Sequence, residues 1–376
     1  MDLPPLPLPA GVRSRWVDTP HGLHMHLLEA GHEDASNKPC VVLLHGFPEL
    51  AYSWRHQLTA LAAAGFHVVA PDQRGYGRTS GSDDRYEGDW RASGMLHLVD
   101  DVLDLVQALG RTQVHAVIGH DFGSPVAAWC ALTRPDVFRA VVMMSAPFSG
   151  PPAADSWSTS HAALIQEVLA LADLSPPRQH YQWYYSGPQA DQDMWHAPQG
   201  LHDFLRAYYH VKSADWSGNH PHPLPAWTAE VLAELPHYYV MPLAQTMAQA
   251  VAPHMPSVEQ IAQCTWLPEG DLQVYTAEYQ RRGFQGGLQW YRCATDHDQW
   301  GALSRSPQRT ITVPSGFLAG QADWGVYQFP GAFETMKAQI CEDMRLCELL
   351  PLAGHWVQQE QAGLVNQQLL SFLSSL

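Results

Sequence analysis

Long uninterrupted hydrophobic runs are missing from these 376 residues: no stretch approaches the roughly 20 apolar residues of a membrane span. The leading "MDLPPLPLPAG" is apolar but broken by prolines and has no basic region before it, so it does not read as a signal peptide. Positive charge is scarce too. Against 37 Asp and Glu stand 21 Lys and Arg, a net of -16 with no basic run, which argues against nucleic acid or anionic membrane as a partner. Cysteine is limited to Cys40, Cys130, Cys264, Cys293, Cys341 and Cys347, with no CxxC among them. Reduced, buried thiols in a cytoplasmic protein are therefore expected. The 21 histidines include no HExxH, and the "HPH" at His220 sits in a proline-rich loop, so no metal is expected. What the chain does have is 46% hydrophobic residues, enough for a large core.

Short valine-rich runs ending in turn residues recur in the first part: "CVVLLHGFP" from Cys40, "FHVVAPDQRGYG" from Phe66, "VHAVIGHDFG" from Val114 and "AVVMMSAPF" from Ala140. Runs this short and this apolar suit strands buried on both faces. Between them "LVDDVLDLVQALG" from Leu98 places Val102, Leu105, Val106 and Leu109 on one stripe, with Gly110 as a stop. Strands alternating with helices predict an α/β fold with a mostly parallel sheet flanked by helices. The rhythm breaks at "SGPPAADS" from Ser149. Residues 149–299 form an aromatic, proline-punctuated, mainly helical cap carrying half of the fourteen tryptophans. Core patterns resume in "RTITVPSGFLAGQADWG" from Arg309 and "MRLCELLPLAGHW" from Met344, and Val365, Leu369, Phe372 and Leu376 predict an amphipathic closing helix. The core is thus read as 1–148 and 300–376.

Ligand sites in such sheets lie beyond the carboxyl ends of the strands. Three candidates sit there: Asp121 after "HAVIGH", Asp323 after "GFLAGQA" and His355 after "LLPLAG". In "GHDFG", glycines two positions either side of Asp121 give the layout of a nucleophile elbow, with a carboxylate where serine is more familiar. Each residue alone has a bland reading, as turn, cap or packing residue. All three in the chain order nucleophile, acid, histidine make a stronger signal than any one.

The chain resembles the α/β-hydrolase superfamily and, within it, the epoxide hydrolases. The resemblance is carried by "HGFPELAYSWRHQ" from His45, "DQRGYGRTS" from Asp72, "GHDFGSPVAAW" from Gly119, "GQADWG" from Gly320 and "GHW" from Gly354. Cap segments "HYQWYY" from His180 and "GFQGGLQWYR" from Gly283 resemble those that hold that family's two ring-opening tyrosines. The resemblance puts these at Tyr181 and Tyr291, with Tyr184 or Tyr185 as alternatives to Tyr181. By the same pattern the backbone N–H groups of Phe47 and Phe122 form an oxyanion site.

A carboxylate, with a reference pKa of roughly 3.9, is ionised at neutral pH and can displace a leaving group from a saturated carbon without a base. The ester so formed would be hydrolysed by water deprotonated by His355, with Asp323 orienting the imidazole. An epoxide oxygen leaves as a strong base and needs an acid such as tyrosine; a halide needs only N–H donors. Phe122 offers no side-chain N–H to a halide, where many dehalogenases and many epoxide hydrolases alike have tryptophan, so it also departs from the family pattern. Phe47 lies where several haloalkane dehalogenases have asparagine. Gln289 departs from the asparagine often found before "WYR". The reading is a cofactor-independent epoxide hydrolase acting on a small apolar epoxide and water. A haloalkane or haloacid dehalogenase is the enzyme alternative, and a non-catalytic hydrolase-fold binding protein the alternative of another class. His45 and His120, next to the active loops, are read as packing or hydrogen-bonding locally, Ser124 and Ser145 as lying off the elbow apex. A homo-oligomer is left open.

Overall fold

The valine-rich runs become the inner strands of one eight-stranded sheet in the computed structural model, which describes residues 3–376. In chain order the strands are β1 (Val12–Asp18), β2 (His24–Ala30), β3 (Cys40–Leu44), β4 (His67–Pro71), β5 (Ala116–His120), β6 (Val141–Met144), β7 (Ser315–Gly320) and β8 (Met344–Leu350). Their spatial order is β1-β2-β4-β3-β5-β6-β7-β8. The pairs β1–β2 and β2–β4 are antiparallel and the rest parallel. Every residue of β3, β4, β5, β6 and β7 is buried, as helices on both faces require. The antiparallel ribbon β1–β2 was not expected: "VRSRWVD" alternates polar residues on an edge strand, and Glu29 of β2 draws Arg13 and Arg15 of β1 into ion pairs.

The helix from Leu98 starts earlier, spanning Met95–Ala108, and buries Val102, Leu105 and Val106. Gly110 follows with φ +70°, a left-handed stop that suits glycine. The closing helix Ala362–Ser374 buries Val365, Leu369 and Phe372, whereas Leu376 lies past its end and is exposed. Between β6 and β7 the chain leaves the sheet for helices that include Leu201–Lys212, Glu269–Arg282 and Gln285–Thr295, plus a small antiparallel pair, Arg178–His180 with Val240–Pro242. The helix His297–Ser304 runs across the expected 299/300 boundary and packs on the helix Trp157–Ala170, and the sheet is regained only at Ser315. One hydrophobic core joins insert and sheet.

All six cysteines are free thiols; Cys264 and Cys347 are only partly buried, unlike the other four. Among the described residues no helix is long and apolar enough to cross a membrane. Met1 and Asp2 of the proline-broken lead-in lie outside the described residues.

Candidate active site

The turn after β5 presents Asp121 to the wall of a cavity. Its φ is +51°, a left-handed conformation that costs a non-glycine residue roughly 1–3 kcal/mol. The flanking glycines make that turn feasible. A Cβ on Gly119 would sit 1.9 Å from Gly123 O, and one on Gly123 would sit 2.3 Å from Leu44 O. The helix Gly123–Thr133 can start only because both lack one.

Asp121 is 9% exposed, and its carboxylate reaches both sides of the site. Oδ1 accepts the Phe47 N–H at 2.9 Å, and Oδ2 lies 3.2 Å from His355 Nε2. On the other edge of the imidazole, Nδ1 is 3.1 Å from Asp323 Oδ1 and 2.9 Å from Ser145 Oγ. Burial works against ionising both aspartates, yet His355 between them outweighs it and holds each carboxyl below the usual range. Gly325 N–H donates to Asp323 Oδ1 at 2.7 Å and fixes the acid loop.

In front of Asp121 lies a cavity of about 310 Å³ lined by apolar side chains such as Phe122, Trp129, Phe148, Trp183 and Leu303, with Tyr181 and Tyr291 in its wall. Tyr181 opens the helix Tyr181–Ser186, and Tyr291 lies in Gln285–Thr295; their ring centroids are 5.9 Å apart. Burial, and then the charge on Asp121, raise both phenols far above their ordinary pKa, so both keep their protons. Tyr184 and Tyr185 point elsewhere, to Asp193 at 3.0 Å and Tyr208 at 3.1 Å. Of the three tyrosines in "HYQWYY", only Tyr181 lines the cavity.

A model of the family described as alpha/beta hydrolase fold matches residues 39–211. Epoxide hydrolase B of Mycobacterium tuberculosis is 33% identical over 348 residues, covering 90% of this chain and 92% of that protein. Epoxide hydrolase A of the same organism is 31% identical over 366 residues, covering 96% and 97%. The chain belongs to the epoxide hydrolase family of α/β-hydrolase-fold enzymes. A solved epoxide hydrolase from an endophytic Streptomyces superposes with a TM-score of 0.77 at 32% identity, covering 97% of this chain and 96% of that one.

Within this epoxide hydrolase fold Asp121, Tyr181 and Tyr291 line the cavity, while Phe47 and His355 meet the Asp121 carboxylate and Asp323 meets His355 outside the cavity lining. Of the two N–H groups expected at the oxyanion position, only that of Phe47 reaches the Asp121 carboxylate; Phe122 N–H makes no bond to it. The Phe122 ring instead packs edge-on against Trp290 and Tyr291. Gln289 stays out of the chamber, its amide bonded to Arg85 O at 2.7 Å and Arg292 at 3.1 Å.

Four contributors escaped the sequence reading. Glu49 and His120 form a fully buried pair at 2.5 Å behind the elbow. The His120 Nε2 also donates to His355 O at 2.6 Å. Both ring nitrogens therefore face acceptors, which requires the imidazolium form. Burial opposes that charge, but the Glu49 carboxylate outweighs it and lifts the His120 pKa to about 8. Glu49 also takes the Gly46 N–H at 3.1 Å and the Gln358 amide at 2.8 Å, so one carboxylate ties the elbow to the loops on both sides.

Ser145, read as lying off the apex, shares the His355 Nδ1–H with Asp323. Glu360 braces the histidine loop by accepting the N–H groups of Gly354, Trp356 and Ala214 at 2.8–2.9 Å. In the same corner His355 N–H donates to Lys212 O at 2.8 Å, and the Lys212 ammonium lies over the rings of Tyr208, Tyr238, Tyr239 and Trp356. The signal for Glu49 and His120 was present as an acid beside "HGFP" and a histidine beside the nucleophile. Glu360 and Ser145 had no signal short of the fold.

Proposed function

We propose that this enzyme converts an apolar epoxide and water to a vicinal diol through an alkyl ester on Asp121. The observation that carries the reading is a single carboxylate with one oxygen toward a tyrosine-lined cavity and the histidine, and the other on a backbone N–H. Attack by Asp121 Oδ2 on a ring carbon forms the ester C–O bond and breaks the epoxide C–O bond. The displaced electron pair stays on oxygen, which takes a phenolic proton from the Tyr181–Tyr291 pair. His355 then removes a proton from water attacking the Asp121 carbonyl, Asp323 and Ser145 hold the imidazole in the tautomer with Nδ1–H, and Phe47 N–H receives the developing oxyanion. Removing a donor of that kind typically costs roughly 10²- to 10³-fold in rate. No step calls on a cofactor.

Halide release is the second reading. The indole N–H of Trp290 at the cavity wall donates to Arg74 O at 3.0 Å and that of Trp300 to Ala294 O at 2.8 Å, whereas those of Trp129 and Trp183 in the same wall make no hydrogen bond to a described group. The covalent step alone therefore does not separate the two leaving groups, and the tyrosine pair carries the preference for an epoxide. The test is a His355→Gln variant incubated with an epoxide and analysed by peptide mass spectrometry. A stable adduct of substrate mass on the Asp121 peptide is expected, because alkylation proceeds while hydrolysis stalls; an unmodified peptide with retained substrate binding would refute the covalent path. The division into core (1–148 and 300–376) and cap (149–299), and a cytoplasmic location in keeping with six free thiols, belong to the same proposal.

A further inference from the structure

The two cap hydroxyls are not placed alike. The Tyr181 phenol lies between two amides: its O–H donates to Gln328 Oε1 at 3.1 Å and its oxygen accepts from Gln182 Nε2 at 3.2 Å. Tyr291 lines the same cavity, and its hydroxyl makes no hydrogen bond to any described group. Gln328 is 5% exposed and belongs to the core, on the loop that begins with Asp323 and turns through Trp324–Val326. Its backbone N–H is bonded to Trp324 O at 2.9 Å, which anchors the amide beneath Tyr181. The loop that carries the acid serving His355 thus also carries the group that claims the proton of a cap tyrosine.

A phenol has one proton to give. While Gln328 holds it, Tyr181 shows the cavity only lone-pair density, part of which Gln182 already occupies, and an epoxide oxygen finds one unclaimed donor, Tyr291. Resting on the covalent path above, we propose that Gln328 is a positioning residue that withholds the Tyr181 proton, so that Tyr291 protonates the oxygen in ring opening. The balance closes over the cycle. Ring opening leaves Tyr291 as the phenolate, and the attacking water releases two protons as Asp121 regains its carboxylate. One of these reaches the departing diol oxygen through His355, and the other returns to Tyr291.

The test is the single-turnover rate of Asp121 alkylation, followed by tryptophan fluorescence, in a set of crossed variants. Tyr291→Phe should lose about 10²-fold, the ordinary worth of a general acid, while Tyr181→Phe loses less than about 10-fold. In a Gln328→Leu background Tyr181 is released, and the costs of the two tyrosine changes should converge to within about threefold, a coupling that independent sites do not show. Gln328→Glu, which keeps an acceptor of the same shape, should restore the inequality. Equal costs in the wild-type background would overturn the assignment even if Gln328→Leu failed to fold, as would an inequality that survives Gln328→Leu. The Tyr181→Phe/Tyr291→Phe double variant separates the two claims: alkylation near the wild-type rate there would sink the proposed acid chemistry itself, whereas unequal roles concern Gln328 alone.

Discussion

The buried His120–Glu49 pair makes stability depend on pH in a calculable way. His120 meets Glu49 on one nitrogen and the His355 carbonyl on the other, with Asp121 the remaining charge that acts on it. Its pKa rises from 6.5 to about 8 in the folded chain. A raised folded value means that the folded state holds the proton more tightly than the unfolded one. The associated stability is therefore fully present below pH 6.5 and is lost as the pH climbs through 8. At 1.36 kcal/mol per pH unit the loss comes to about 2 kcal/mol. With an unfolding entropy of roughly 2.1 cal/mol/K per residue, a chain of this length melting as one unit would drop by about 2–3 °C. Melting temperatures of the wild type and Glu49→Gln should be recorded from pH 6 to 9 in one buffer series. The variant leaves His120 facing a neutral amide, so its curve should lack this drop while sharing every contribution from exposed histidines. Parallel curves for the two proteins would refute the idea that His120 is charged in the folded state.

Gly119→Ala forces a Cβ to within 1.9 Å of the Gly123 carbonyl, a backbone atom that cannot step aside. A stability loss at or beyond the roughly 1–3 kcal/mol usual for overpacking is expected in urea titrations, and an unchanged midpoint would show that the elbow can relax. Glu360→Gln loses one of two acceptor oxygens under three N–H groups and loosens the His355 loop. Ester hydrolysis should slow by about 10- to 10²-fold while alkylation holds, so that the ester accumulates in rapid-quench samples; a slowdown confined to alkylation would contradict the bracing role.

The sequence was most legible where one residue type admits one physical use. Val41, Val117 and Val142 sit in all-apolar runs too short for helices, and all became buried strands of the parallel sheet. The positions of Asp121, Asp323 and His355 at strand ends carried over because open sheets expose those ends to a common edge. Polar edge strands defeated the same logic, since Arg13 and Arg15 in β1 are explained by Glu29, whose pairing with them needs the sheet to exist. Tertiary polar contacts were beyond reach for the same reason: Glu49 meets Gln358 across 309 positions and Tyr181 meets Gln328 across 147. The choice among Tyr181, Tyr184 and Tyr185 turned on a helix only six residues long, whose phase the residue pattern alone does not set.

A Cβ on Gly354 would sit 2.5 Å from Lys212 O, so the chain of the helical insert passes directly against the loop that carries the histidine. The insert's residues 212–214 supply a carbonyl to His355 N–H and an N–H to Glu360. It follows that the insert is not a detachable specificity module clipped onto a self-sufficient hydrolase. Grafting a cap from a relative would transplant the substrate chamber but sever this seam, unless residues 212–214 and 354–360 travelled together as one exchangeable unit.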